Sequence, residues 1–173
     1  MAINDLKAGV VGVGFIGVAH VEALRRIGVD VVGVVGSSPE RAREKAEQAG
    51  LPQVYDSVEA LAADSSVDVI HIASPNHVHA EQARIVLDAG KHVVCEKPLA
   101  LTPADKAELL ERAEASGLVH AVCFNIRHYP LNHQAMAMVS AGEIGEPLMI
   151  TGSYPQEWLL KDTDWNWRLQ PGE

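Results

Sequence analysis

The stretch Gly12-Val13-Gly14-Phe15-Ile16-Gly17 decides the fold, because it fits the pattern G-x-G-x-x-G between an apolar run at Ala8–Val13 and a helical pattern at Ile16–Ile27. A strand, a turn and a helix in that order form the context in which this pattern binds a dinucleotide. The first glycine makes a tight turn, the second lets a pyrophosphate approach the backbone, and the third lets helix and strand pack closely. The helix start offers N–H groups and a positive dipole end to the phosphates. The alternative is a glycine turn that merely joins a strand to a helix.

Apolar runs and helical patterns alternate along the rest of the chain. The other predicted strands are Val31–Val35, Val67–Ala73, His92–Cys95 and Val119–Phe124. The other predicted helices are Pro39–Ala49, Asp56–Ala62 (capped by Asp56), His77–Ala89, Pro103–Ser116 and Asn132–Ala141. Strands of nearly continuous Val and Ile are typical of a sheet covered on both faces. The pattern predicts an α/β fold, a Rossmann-type doubly wound parallel sheet.

The character of the sequence changes at Gly145-Glu146-Pro147. Leu148–Tyr154 has the pattern of a strand, whereas Pro155–Glu173 holds all three tryptophans and follows no clear period. We therefore expect a dinucleotide-binding domain over residues 1–145. Residues 146–173 would begin a second, incomplete α/β domain.

Composition excludes several classes of protein. The 173 residues hold 14 Lys or Arg and 23 Asp or Glu, which gives a net charge of −9 and argues against nucleic acid or an anionic membrane as a partner. No apolar run approaches the ~20 residues of a membrane span, and the N-terminus lacks a signal-peptide pattern. Two cysteines, Cys95 and Cys123, are too few for a disulfide framework. These features predict a cytoplasmic protein with inert, buried thiols.

The end of the second predicted strand bears on the choice of cofactor. An acid there would bind the ribose 2′-hydroxyl of NAD, but the residue is Gly36. The hydroxyls of Ser37 and Ser38 and the guanidinium of Arg41 follow it, and these groups could accept a 2′-phosphate. The cofactor is therefore predicted as NAD(P), with a preference for NADP. The alternative is that Ser38 is only a helix cap and that Arg41 lies on a solvated helix face.

The motifs together resemble the Gfo/Idh/MocA family, named after glucose–fructose oxidoreductase and inositol dehydrogenase. The matching segments are Gly12–Gly17 with His20, Ser74–His79, Glu96–Ala100, Phe124–Pro130 and Gly142–Pro147. They cover nearly the whole chain in the family's order, and Glu96-Lys97-Pro98 is the most specific. The resemblance implies an NAD(P)-dependent oxidoreductase that acts on a secondary hydroxyl of a sugar, polyol or cyclitol. The alternative is a dinucleotide-binding module without catalysis, used for regulation or as a scaffold.

The resemblance also implies roles for individual residues. Lys97 is the expected catalytic residue, because an ammonium group can stabilise the alkoxide that develops as hydride leaves. The alternative is that Lys97 is an exposed surface lysine without a role in catalysis. Lys97, Arg127 and Trp165 are the expected substrate contacts, and a cis peptide bond is expected before Pro98. The expected cofactor contacts are Gly12, Gly14, Phe15, Ile16, Gly17, Ser37, Ser38, Arg41, Ser74, Pro75, Asn76, His77, Glu96, Lys97 and Asn125.

The chain departs from the family in length. Family members continue into a C-terminal α/β domain, and the usual Asp-x-x-x-His element with the catalytic histidine would fall beyond Glu173. We therefore expect a truncated chain that supplies the cofactor-binding half and is nearly inactive alone. The second domain, including the tail Asp164–Arg168, would face the substrate and could form a homo-oligomer.

The histidines suggest a metal site only weakly. His77-Val78-His79 has no third ligand at a matching spacing, so no metal is predicted and the pair is explained by a helix start. His20 is expected on the helix near the cofactor. His71 is expected as a hydrogen-bonded core histidine.

Overall fold

The computed structural model describes residues 3–51, 53–166 and 169. The chain forms two compact units, Met1–Cys123 and Phe124–Glu173. The first unit contains the phosphate-binding pattern and all six strands. The domain division at residues 145 and 146 remains a prediction.

One six-stranded parallel sheet organises the first unit. Its strands are β1 (Lys7–Val11), β2 (Asp30–Val35), β3 (Gln53–Tyr55), β4 (Val69–Ile72), β5 (His92–Glu96) and β6 (His120–Cys123), in the order β3-β2-β1-β4-β5-β6. The order reverses between β1 and β4, which is the switch point of a doubly wound fold. Val11 pairs with both Val35 and Ile72, so the strand ends next to the switch point lie side by side. The predicted Rossmann-type sheet is confirmed.

Helices connect the strands and begin and end at residues suited to those positions. They are α1 (Phe15–Arg26), α2 (Pro39–Gln48), α3 (Val58–Ala63), α4 (His79–Asp88), α5 (Pro103–Ser116) and, in the second unit, α6 (Pro130–Ser140). The Ser38 hydroxyl caps α2 and the Thr102 hydroxyl caps α5, each ahead of a proline in the first turn. The cap predicted for α3 is wrong, because Ser57 rather than Asp56 accepts the hydrogen bond from the Ala60 N–H.

The core lies on both faces of the sheet, as the Val-rich strands predict. Successive residues of β1 point to opposite faces, so Val11 joins one apolar cluster and Val10 the other. The first cluster includes Leu61, Ile70, Ile72, Val86 and Val93, and the second includes Val21, Leu24, Val31 and Val34. The two layers of side chains hold the strands rigidly beneath the loops at their carboxyl ends.

The structure has one strand that the sequence pattern does not predict, and one predicted strand is wrong. Gln53–Tyr55 forms the edge strand β3, which the sequence pattern did not indicate because only three residues pair with β2. Leu148–Tyr154 is not a strand. A strand needs a partner for its backbone groups, and the described residues of the second unit provide none. Leu148, Met149 and Ile150 are instead more than four-fifths exposed.

A search of the described residues finds no helix with the length and apolar character that a membrane crossing requires.

Candidate cofactor and active site

The turn after β1 has the tight geometry that its glycines predict. Gly12 has a φ of 103°, and a Cβ on it would lie 2.5 Å from the Ala73 carbonyl oxygen. A Cβ on Gly17 would lie 1.9 Å from the Gly12 carbonyl oxygen. A Cβ on Gly14 would meet no atom within 4 Å. Two glycines are therefore required by close packing, whereas Gly14 faces the space that a pyrophosphate needs.

The start of α1 is suited to an anion. Gly14 is its N-cap residue and makes no side-chain capping bond to the helix. The N–H groups of the first turn are thus not occupied by a capping side chain, and the positive end of the helix dipole lies among them. Phe15 is 88% exposed and Ile16 is 43% exposed, so neither side chain is packed into the core at the start of α1. These residues fit a dinucleotide phosphate group.

Close packing at the end of β2 explains why residue 36 is glycine and not an acid. A Cβ on Gly36 would lie 2.9 Å from the Ala42 Cβ and 3.1 Å from the Val13 Cγ2, so the packing of α2 favours glycine there. Ser38 is engaged locally, because its hydroxyl donates to Glu40 Oε2 at 2.7 Å and accepts from the Arg41 N–H at 3.4 Å. The hydrogen bond from Ser38 lowers the pKa of Glu40. A carboxylate therefore lies beside the hydroxyl that was predicted to accept a 2′-phosphate.

Ser37 and Arg41 are the other candidate groups at this edge. Both side chains are exposed. Within the described ranges, the Arg41 guanidinium makes no ion pair. It is therefore available to an anionic ligand.

The loop after β4 adjoins the phosphate turn, since Gly12 packs against Ala73 and the Ser74 backbone. The Ser74 hydroxyl donates to Gln82 Oε1 at 2.5 Å, and Asn76–Val78 forms a short 3-10 helix before α4. Pro75 and His77 are exposed, and Asn76 is half-buried. The structure thus places the Ser74 backbone against the glycine turn, and Pro75, Asn76 and His77 follow it in the same loop.

The loop after β5 holds the most specific motif. The peptide bond between Lys97 and Pro98 is cis, as the resemblance implies. Glu96 is held by its own chain, because Oε2 accepts from the Lys97 backbone N–H at 3.3 Å and Oε1 lies 3.2 Å from His20 Nε2. Lys97 is exposed, and its ammonium group has no ion-pair partner in the part of the chain that the structure describes. An unpaired ammonium at a strand end can stabilise negative charge on a ligand.

A chain of hydrogen bonds through His20, His71 and Glu96 connects α1, β4 and β5, and the sequence did not predict that these residues contact one another. His20 Nδ1 lies 2.8 Å from His71 Nδ1, while His20 Nε2 bonds to Glu96. Burial, and secondarily the charge of His20, lower the pKa of His71 to about 4, so His71 is neutral at pH 7. The sequence predicts a hydrogen-bonded His71, and the structure identifies its partner as His20. These hydrogen bonds hold the Glu96 carboxylate in place beside Lys97.

Metal-ligating atoms occur in the same region. One atom each of His20, Glu96 and Cys123 lie within 4.8 Å of one another, so these residues could hold a metal ion. His20 and Glu96 already bond to each other. His79 is not available to a metal, because both of its ring nitrogens contact backbone carbonyl oxygens. The predicted absence of a metal remains a prediction.

The prediction of buried thiols is confirmed for Cys95 and wrong for Cys123, which is only partly buried. Cys95 and Cys123 form no disulfide. Burial, followed by the negative charge of Glu96 and the interaction with Cys123, raises the pKa of Cys95 to about 12. The Cys95 thiol is therefore protonated and unreactive at pH 7.

The remaining predicted site residues belong to the second unit. Asn125 and Arg127 lie in an exposed 3-10 helix, Asn125–His128, and Trp165 is 68% exposed. Trp167 and Arg168 lie outside the described residues. The roles of Asn125, Arg127 and Trp165 remain predictions.

The arrangement of the first unit fits one chemistry. A phosphate-binding helix start, a polar loop and an exposed ammonium group follow three strands, β1, β4 and β5, which are neighbours in the sheet. In open α/β sheets, ligands bind outside the carboxyl ends of the strands at the switch point. These residues can therefore hold a dinucleotide and place a positive charge beside a reacting oxygen.

Comparison with known proteins agrees with this geometry. Residues 6–124 match the model of the oxidoreductase family with an NAD-binding Rossmann fold. Levoglucosan dehydrogenase from Pseudarthrobacter phenanthrenivorans is 33% identical, over 97% of this chain and 46% of that protein. NADP-dependent D-xylose 1-dehydrogenase 2 from Haloferax volcanii is 33% identical, over 84% of this chain and 45% of that protein. The chain spans about half the length of the curated relatives it matches.

A solved structure shows the same fold. The structure of a levoglucosan dehydrogenase in complex with NADH and levoglucosan superposes with a TM-score of 0.77 at 33% identity. The match covers 81% of this chain and 40% of that one. That relative binds both a nicotinamide dinucleotide and a sugar.

Proposed function

The chain belongs to the Gfo/Idh/MocA family of oxidoreductases with an NAD-binding Rossmann fold, and on that premise we propose that it supplies the cofactor-binding half of an NAD(P)-dependent enzyme. The proposed reaction is the oxidation of a secondary hydroxyl of a sugar, polyol or cyclitol, or its reverse. The observation that carries the proposal is the exposed ammonium of Lys97 at the end of β5, two strands from the phosphate turn. A pure binding module would need only the glycine turn.

Each residue of this site has a proposed task. A bound nicotinamide dinucleotide would supply hydride transfer. The backbone at Gly12, Gly14 and Gly17 binds the pyrophosphate, and the polar groups of Ser74–His77 line the ribose and nicotinamide side. Lys97 stabilises the negative charge that develops on the substrate oxygen. Glu96, held by His20, fixes the start of the Lys97 loop.

We propose a preference for NADP over NAD, and expect it to be small. Support comes from the missing acid at Gly36, the exposed hydroxyl of Ser37 and the unpaired guanidinium of Arg41. The carboxylate of Glu40 acts in the opposite direction, because it lies beside Ser38 and would repel a 2′-phosphate. Levoglucosan dehydrogenase has been seen with NADH and the xylose dehydrogenase is named for NADP, so relatives use both forms.

The proposal is tested by titrating the chain with NADP, NADPH, NAD and NADH. Binding is measured by calorimetry or by tryptophan fluorescence. Saturable binding of all four with the tightest binding for an NADP form is the expected result. Tighter binding of NAD would keep the cofactor site and overturn the proposed preference. A chain that is folded by circular dichroism but binds none of the four would contradict the cofactor function itself.

Turnover tests the catalytic part of the proposal. We expect the 173-residue chain to oxidise myo-inositol, D-xylose or levoglucosan far more slowly than a full-length relative. The reason is that the proposed general base is the histidine that the family resemblance assigns to the second domain of full-length relatives, and such a base contributes ~10²–10⁴ in rate. Turnover by the chain equal to that of full-length levoglucosan dehydrogenase would contradict this expectation.

A cytoplasmic location is also part of the proposal. Two cysteines that form no disulfide support it, because thiols stay reduced in that compartment. Detection of the protein in a periplasmic or secreted fraction would overturn it.

A further inference from the structure

His79 is the one buried polar residue in the described core, with 1% of its surface exposed. Its ring lies between two loops at the carboxyl edge of the sheet. Nε2 is 2.8 Å from the Ser74 carbonyl oxygen, in the loop after β4. Nδ1 is 2.8 Å from the Pro98 carbonyl oxygen, in the loop after β5. One side chain therefore joins the backbones of both loops.

The nature of these partners determines the protons on the ring. A carbonyl oxygen only accepts hydrogen bonds, so each ring nitrogen of His79 must donate one. Both bonds form together only when both nitrogens carry hydrogen, which makes the ring a buried cation.

We infer that His79 is a positioning residue, which fixes the distance between the Ser74–His77 loop and Lys97 through two donated hydrogen bonds. The inference rests on the proposed function, in which both loops line the cofactor site. His79 reaches the ligand only through the two backbones. Loss of either bond would leave a carbonyl oxygen without its His79 donor and let the loops move relative to each other. Sub-ångström placement of such loops governs how well a site works.

The protons of His79 can be observed directly in the folded chain without a cofactor. The experiment is nitrogen-15 NMR of the histidine rings at pH 7, with scalar couplings across hydrogen bonds to the Ser74 and Pro98 carbonyl carbons. We expect a coupling from one His79 ring nitrogen to the Ser74 carbonyl carbon and from the other to the Pro98 carbonyl carbon. A coupling to one carbonyl only, or to neither, would overturn the inference. Because no ligand is present, this result does not depend on the proposed function.

Two substitutions then test the effect on the site. His79→Leu removes both donors at similar size, whereas His79→Gln keeps an amide group with two N–H donors. We expect His79→Leu to weaken NADPH binding about tenfold, because both hydrogen bonds between the loops are lost. His79→Gln should restore part of the loss, because its amide group can replace one of them. His120→Leu, which replaces an exposed histidine of β6, is the control and should bind as the parent chain does.

The readouts separate positioning from simple loss of stability. Thermal unfolding of each variant is measured beside the titration, and affinities are compared well below the unfolding midpoint. A folded His79→Leu chain that binds NADPH as tightly as the parent chain would overturn the positioning role. If the parent chain itself binds no dinucleotide, the proposed function fails, and the NMR experiment still decides whether His79 joins the two loops.

Discussion

The α-carbon of Gly17 packs directly against the carbonyl oxygen of Gly12, so that a Cβ on Gly17 would lie 1.9 Å from that oxygen. This contact joins the first turn of α1 to the end of β1. It places the positive end of the helix beside the strand end, where phosphate binding requires it. The glycine pattern is thus a packing requirement of the strand–turn–helix unit as well as a binding motif.

Substitution of Gly17 should therefore destabilise the fold. Alanine inside a helix ordinarily gains ~1 kcal/mol over glycine. Here the added methyl group would force α1 away from β1, and we expect Gly17→Ala to lower the free energy of unfolding by about 3 kcal/mol. Denaturant unfolding followed by circular dichroism measures the change. A variant as stable as the parent chain would mean that the turn adjusts without cost.

Gly14→Ala is the matched substitution in the same turn. Its Cβ would meet no atom within 4 Å, and the Gly14 φ of −71° suits alanine. We expect a fold close to that of the parent chain but an affinity for NADPH at least about tenfold lower, because the methyl group fills the space next to the N–H groups that bind phosphate. Calorimetry measures the affinity. Unchanged binding would show that the phosphates lie elsewhere.

Glu40 and Arg41 should shift the choice between NADP and NAD in opposite directions. Glu40→Gln removes the carboxylate beside Ser38 and should raise the ratio of NADP to NAD affinity a few-fold. Arg41→Met removes the unpaired guanidinium and should lower the same ratio by a similar factor. Parallel titrations of the two variants and the parent chain give the ratios. Equal ratios in all three chains would mean that the 2′-phosphate does not bind at the end of β2.

His71 should make stability depend on pH between its two pKa values. Its pKa is lowered from 6.5 to about 4 in the folded chain, chiefly by burial. Between these values the unfolded chain binds a proton that the folded chain does not, so the free energy of unfolding falls as the pH decreases from 6.5 to 4. The full loss is on the order of 3 kcal/mol.

His71→Val is the comparison for this pH effect. Valine suits the strand and does not titrate, so stability should fall less steeply in that window. The difference in unfolding free energy between the two chains is measured from pH 7 to pH 4. A difference that stays constant over this range would show that His71 is protonated equally in both states.

Tyr55 should control the acidity of Asp64. The Tyr55 hydroxyl donates to Asp64 Oδ2 at 2.6 Å, and this bond is the largest cause that lowers the pKa of Asp64 to about 2. In Tyr55→Phe the pKa should rise towards its ordinary value of 3.8. The depressed pKa stabilises the folded chain above about pH 4, and this contribution is lost as the pH falls through 2.

Carbon-13 NMR titration of the Asp64 carboxyl group in both chains measures the effect. Ser66 donates its backbone N–H to the same carboxylate and remains in the variant, so the return to 3.8 should be partial. An Asp64 pKa that stays near 2 in Tyr55→Phe would assign the shift to Ser66 instead.

Local interactions determined much of this protein from sequence alone. The glycine turn, the Ser38 and Thr102 caps and the Val-rich strands each depend on neighbours in the chain, and the structure has all of them. The same reasoning placed the site residues of the first unit at strand ends, because parallel strands present those ends at one edge. The cis bond before Pro98 came from the family resemblance and is present too.

Tertiary structure decided what depends on residues far apart in sequence. The strand β3 forms because β2 provides its partner, whereas Leu148–Tyr154 remains without one among the described residues. His20 bonds to Glu96, which is 76 positions away in the sequence. His79 lies between two carbonyl groups. Neither contact produces a periodic pattern in the sequence. Such contacts arise when packing brings separate elements together, so periodicity and spacing, which report only local geometry, could not reveal them.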